Sequence, residues 1–288
     1  MPDHRTNFLP RIMALAALLF SVLITPTPSA HSAGPQQVSS LEELWIDMRI
    51  GPPLIPLFNE AAQAGDIARI DQPGQIGQLS EIENGRKLVI FRSVEEAKQF
   101  LPDIANEIDI IGYNFEHNSA TPGDEMADPV GAIQQMRALA DEYGLELAFG
   151  PDHDFALSHG VQMAPYVDIF VLQIQRQQTN PGIVKDFVEP MVPQLRQANP
   201  DLQVSVQVRT EGNVDDIIQL LDDLKGYIDG VSILTSPDTV DVAWELTAAL
   251  RPYVGNPSSG IDQAWIYIPV AAGLAGGAYL LYRHYRMK

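Results

Sequence analysis

From residue 87 onward, short Val/Ile-rich runs alternate regularly with amphipathic stretches, and this alternation constrains the fold more than any other feature of the chain. The apolar runs are 87–92 (KLVIFR), 108–114 (IDIIGYN), 145–150 (LELAFG), 167–175 (VDIFVLQIQ), 203–209 (QVSVQVR) and 228–235 (IDGVSILT). Helix patterns occupy 94–106, 129–143, 184–198, 214–224 and 239–250. Strand followed by helix, repeated, predicts a parallel sheet, because parallel neighbours need a long crossover and a helix supplies it. The strand starts at 87, 145 and 203 are 58 residues apart, and Ile108-Asp109, Val167-Asp168 and Ile228-Asp229 open the strands between them. A two-strand unit thus recurs three times. A fourth unit within 34–86 would complete eight strands, so the expected fold class is α/β, a (β/α)8 TIM-like barrel.

The fourth unit is the least regular. Ser40 is placed to cap a helix over 41–49, a second helix fits 54–64, and 65–86 carries no clear strand pattern, so the first strands are expected to be irregular. Asp109, Asp168 and Asp229 stand at strand starts, the face of such a barrel that carries stability rather than chemistry, and are read as structural.

The two ends predict an exported, anchored protein. Residues 264–282 form a 19-residue uncharged stretch followed at once by Arg283, His284, Arg286 and Lys288, the pattern of a transmembrane helix with a cytoplasmic tail over 283–288. Arg5 and Arg11 precede an apolar run over 12–24 and the small-residue stretch TPTPSAHSA, which reads as a signal peptide over 1–33. The barrel domain, 34–253, is then expected outside the cytoplasm of a single-pass cell-membrane protein, joined to its anchor by a linker over 254–263. With 37 acidic against 18 basic residues and a formal net charge of −19, nucleic acid is excluded as a partner. There is no cysteine, so stability must come from one sizeable core, and thiol chemistry is unavailable.

Period-two alternation indicates which residues face the barrel lumen. Leu88, Ile90 and Arg92 share a face, as do Gly112, Asn114 and Glu116; Ala148, Gly150 and Asp152; Gln173 and Gln175; and Ser205, Gln207, Arg209 and Glu211. Small residues low and polar residues high, strand after strand, describe a polar pocket at the C-terminal end, the default position for a site. The lining suits a carbohydrate or another polar uncharged ligand. The same groups would equally satisfy one another, Arg92 or Arg209 pairing with Glu116, Asp152 or Glu211, in a noncatalytic ligand-binding or scaffold protein.

With the six clear strands taken as the third to eighth, Asn114-Phe115-Glu116 ends strand four and Arg209-Thr210-Glu211 ends strand seven. In this the chain resembles the TIM-barrel glycoside hydrolases. The resemblance implies Glu116 as acid/base and Glu211 as nucleophile or charge stabiliser, with Arg92, Asn114, Asp152, Gln173, Gln175, Gln207 and Arg209 binding substrate and no cofactor. This chain inserts Phe115 between the Asn and the Glu, and Trp45, Trp244 and Trp265 all lie outside the predicted strands. His117 with Asp152, His153 and Asp154 supplies nitrogen and oxygen donors of the kind that hold a divalent cation, at no recognised spacing; turn and helix capping is the commoner use of such residues, and no metal is expected. No phosphate-binding glycine loop or serine nucleophile elbow is present.

Overall fold

The computed structural model describes residues 38–117 and 121–251. Eight parallel strands close into a barrel in sequence order: β1 (Trp45–Arg49), β2 (Ile67–Ile70), β3 (Arg86–Phe91), β4 (Ile110–Phe115), β5 (Glu146–Pro151), β6 (Ile169–Gln173), β7 (Gln203–Arg209) and β8 (Gly230–Leu234). Closure is made by β1 on β8, with Ile46 opposite Val231 and Asp47 opposite Ser232. The helices are α1 (Ile55–Ala61), α2 (Ile76–Leu79), α3 (Val94–Ile104), α4 (Gly123–Ala127), α5 (Pro129–Tyr143), α6 (His153–Met163), α7 (Pro181–Ala198), α8 (Val214–Leu224) and α9 (Val240–Leu250). The chain is a TIM barrel. Its six later strands are the third to eighth, as their spacing predicts.

The first unit corrects the sequence reading. Residues 41–49 are not a helix: a short 3-10 turn, Leu41–Glu43, leads into β1. Leu41, Leu44, Trp45 and Met48 recur at helical spacing and mimic an amphipathic helix, yet they divide between a turn and a strand. Trp45 therefore opens a strand, and its ring lies across Gly230 at the base of β8, where any Cβ would collide with it. The segment 65–86 contains β2, only four residues long, and the single-turn α2.

Two apolar layers hold the barrel together. Outward strand residues such as Met48, Val89, Tyr113, Phe149, Leu172 and Val206 pack under the helices in the main core. A smaller cluster fills the lower lumen: Ile67, Leu88, Ile110, Ala148 and Ile169, with Trp45, Ile90 and Val171 against it. Gly112 is required at this level, since a Cβ there would stand 2.5 Å from Ile90 Cδ1 and 2.7 Å from Leu88 Cδ2.

A fourfold device organises the N-terminal face. Asp109 accepts the Lys87 N–H at 2.8 Å, Asp168 the Leu147 N–H at 2.7 Å and Asp229 the Val204 N–H at 2.7 Å. Each aspartate precedes an even strand and holds the second residue of the odd strand before it. Asp66, ahead of β2, does the same for Ile46 at 2.7 Å. Arg137, Arg196 and Arg251 back Asp168, Asp229 and Asp66 respectively. The structural reading of these aspartates holds, and the missing fourth member is Asp66.

Among the described residues no helix is long and apolar enough to cross a membrane. The predicted signal peptide (1–33), linker (254–263), membrane helix (264–282) and tail (283–288) lie outside the described residues.

Candidate functional site

Above the apolar floor, the strand ends enclose a cavity of about 360 Å³. Its lining includes Arg92, Asn114, Glu116, Gln173, Gln175 and Gln207, six of the nine residues singled out from sequence. Asn114, Gln173 and Gln207 lie on strands, and Arg92, Glu116 and Gln175 follow within two residues of strand ends, where the chain still faces the mouth.

A chain of amides orders one wall. Gln175 Nε2 donates to Gln173 Oε1 at 3.0 Å, and Gln173 Nε2 donates to the Gly150 carbonyl at 3.0 Å and to Glu116 Oε1 at 3.3 Å. Asn114 Oδ1 lies 3.4 Å from the same nitrogen. A Cβ added at Gly150 would stand in ordinary contact, 3.8 Å from Asn114 Oδ1 and 3.9 Å from Gln173 Nε2.

The opposite wall comes from β1 and β2 and was not read from sequence. Arg69 is buried, and its Nε donates to Asp47 Oδ1 at 3.0 Å while its Nη1 lies 3.5 Å from Asp71. Arg49 completes the group, bonding Asp71 at 2.7 Å. Ser232, facing Asp47 across the seam, donates its hydroxyl to Asp47 Oδ2 at 2.6 Å. Burial by itself would lower the Arg69 pKa, but the carboxylates of Asp47 and Asp71 override it and raise that pKa, so the guanidinium stays charged. Alternating charged residues on a strand look like a solvent-exposed edge, which is why this wall escaped detection. The one usable signal was the charge pattern itself, Asp47-x-Arg49 and Arg69-x-Asp71, at period two.

Three predicted residues fall elsewhere. Glu211 is exposed on the loop after β7 and Arg209 is half-buried, and neither is among the residues lining this cavity. The cause is Gln178, whose Oε1 accepts the Arg209 N–H at 2.8 Å and whose Nε2 donates to the Arg209 and Glu211 carbonyls at 3.0 Å. This clamp holds the chain where the strand ends at Arg209, and Gly212, at φ +142°, turns it just after Glu211. Asp152 ends β5's run as the first residue before α6, and its carboxylate accepts the His117 N–H at 2.7 Å.

Asp152 instead belongs to an adjoining cavity of about 380 Å³, shared by His117, His153, Asp154, Glu116 and Gln175. His117 Nε2 meets Asp154 Oδ2 at 2.6 Å, and the imidazole stacks on Phe155 with ring centres 4.4 Å apart. The hydrogen bond to Asp154 raises the His117 pKa; desolvation opposes it, and the charges of Asp154 and Asp152 add to the rise.

No family model matches the chain, and no curated protein matches it. Solved structures similar to it include a ligand-free tryptophan synthase from M. tuberculosis (14% identity, 73% of this chain and 93% of that chain, TM-score 0.48). A 3-keto-L-gulonate-6-phosphate decarboxylase from Vibrio cholerae aligns at 10% identity over 72% and 99% of the two chains, with a TM-score of 0.44. A glycoside hydrolase family 17 β-1,3-glucanosyltransferase from Rhizomucor miehei aligns at 10% identity over 68% and 88%, with a TM-score of 0.45. A barrel fold does not by itself fix a chemistry, so function has to be argued from the site.

Proposed function

We propose that the barrel mouth binds a carbohydrate or a closely related neutral polyol, and that Glu116 donates a proton to a glycosidic oxygen held there. The observation that carries this reading is the balance of charge in a polar cavity. Asp47, Asp71 and Glu116 line the cavity with Arg69 and Arg92, and Arg49, which stands outside the lining, neutralises Asp71, so the site offers many hydrogen-bonding groups with no excess charge to attract an ion. Neutral ligands rich in hydroxyls fit such a lining, since each hydroxyl both donates and accepts. A volume of about 360 Å³ is at the small end of the roughly 300–1,000 Å³ usual for ligand sites, which suits one or two sugar rings rather than a long chain.

In the hydrolytic reading Glu116 protonates the leaving oxygen, water adds to the anomeric carbon, and a second carboxylate takes the proton of that water or attacks first. Glu211, carried outward by the Gln178 clamp, is poorly placed for the second role. Asp47 and Asp71 lie in the cavity with Glu116 and are the better candidates. The same placement of Glu211, with Glu116 bonded to the Gln173 amide, favours a second reading in which the barrel binds the sugar without cleaving it.

The test is a panel of aryl glycosides and short oligosaccharides presented to the purified protein and to Glu116→Gln, a nearly isosteric change. Turnover abolished by Glu116→Gln supports hydrolysis. Binding without turnover supports the second reading, and neither binding nor turnover refutes both. We propose further that the barrel works outside the cytoplasm, tethered through residues 264–282.

A further inference from the structure

We propose that His117, Asp152 and Asp154 form a binding site for a first-row divalent cation at the rim of the barrel, between the ends of β4 and β5. One donor atom from each, an imidazole nitrogen and two carboxylate oxygens, lies within 4.8 Å of the others. Helix capping does not account for the cluster. Asp152 occupies the position before α6 where a side chain ordinarily caps the helix, yet it makes no capping bond and turns to the backbone of His117 instead.

A second observation points to something bound in the same space. Gln175 is buried, its Nε2 is committed to Gln173, and its Oε1 has no protein partner. Gln175 stands between the two cavities, lining the barrel mouth as well as the space that His117, Asp152 and Asp154 share. A buried carbonyl oxygen without a donor calls for a water or an ion, and a hydrated cation supplies either.

The donor set selects the metal class. One imidazole with two carboxylates suits Mn²⁺ or Zn²⁺ better than Ca²⁺ or Mg²⁺, which prefer oxygen alone. Ligand atoms about 2.1 Å from such an ion lie roughly 3.0–3.4 Å apart, so the 2.6 Å contact between His117 and Asp154 must open slightly. Both side chains are more than half exposed and are free to do so. Three protein ligands leave coordination positions facing the cavity, where Glu116 stands. The site does not depend on a sugar binding in the barrel.

The experiment titrates the chelator-stripped full chain with MnCl2, followed by electron paramagnetic resonance, and separately with ZnCl2 by calorimetry. The expected result is one Mn²⁺ per chain with a nitrogen coupling in the pulsed spectrum. His117→Ala should abolish that coupling, and His117→Ala and Asp154→Asn should each weaken binding at least tenfold. Asp141→Asn, an exposed carboxylate paired with Arg137 on α5, should bind as wild type. Thermal melts check that the variants fold, which the exposure of both residues favours. Absence of stoichiometric binding at millimolar metal, or wild-type affinity in His117→Ala and Asp154→Asn, overturns the proposal.

Discussion

Replacing Arg251 with Met tests how the barrel is closed. Arg251 follows α9 and is fully buried beside β1 and β2. Its Nη2 donates to Asp66 Oδ1 at 2.9 Å and to the Leu44 carbonyl at 2.8 Å, and its Nη1 donates to the Leu250 carbonyl at 3.1 Å. Asp66 in turn holds the Ile46 and Gln63 N–H groups at 2.7 and 2.8 Å. Methionine fills much of the same volume but leaves a buried carboxylate without its counter-ion and removes the Arg251 donors from three carbonyls, those of Glu42, Leu44 and Leu250. Breaking a buried pair in this way costs about 3–5 kcal/mol. For a domain of this size, at roughly 2–4 °C per kcal/mol, the melting temperature should fall by about 6–20 °C. The assay is denaturant unfolding of wild type, Arg251→Met, Asp66→Asn and the double variant. Because both partners serve one network, the double variant should lose less than the sum of the singles, with a coupling of roughly 1–3 kcal/mol. A loss below about 1 kcal/mol for Arg251→Met, or strictly additive losses, would refute the closure argument.

Two further predictions concern other parts of the molecule. Tyr113 is buried beneath α4 and α5 with its hydroxyl bonded to Glu125, and burial together with that carboxylate pushes its pKa far above the ordinary value. Its contribution to stability is complete below about pH 10, where both states are protonated, and declines above it by about 1.4 kcal/mol per pH unit as the unfolded chain alone ionises. Denaturation at several alkaline pH values should show this slope in wild type and a shallower one in Tyr113→Phe; identical slopes would contradict the assignment. For the proposed topology, protease added to intact cells should digest the barrel and spare an epitope fused after Lys288, and protection of the barrel would reverse the orientation.

The strands from β3 to β8 were legible because their outward faces are continuous Val, Ile and Phe, as demanded where helices cover a parallel sheet. The polar residues at their upper ends were legible for the same reason, standing out against an apolar background at period two. In β1 and β2 the outward apolar faces are only two residues long, Ile46 with Met48 and Ala68 with Ile70, too short to stand out. There the lumen-facing positions are Asp47, Arg49, Arg69 and Asp71, whose pairing is visible only once the two strands lie side by side. The aspartate repeat was likewise read three times out of four, because the step from Asp66 to Asp109 is shorter than the later ones. Glu211 was misplaced for a different reason: alternation holds only while the strand continues, and the side chain that ends it, Gln178, comes from the preceding β6–α7 connection.

Isothermal titration of the purified chain with mono- and disaccharides tests the central claim most directly, read beside Gln173→Leu, which removes the amide that orders Asn114, Gly150 and Glu116. The account predicts one-to-one binding of at least one neutral sugar, weakened about tenfold or more by Gln173→Leu in line with roughly 1–3 kcal/mol for an unsatisfied buried polar group. No sugar bound at millimolar concentration, or binding unaffected by Gln173→Leu, would contradict it.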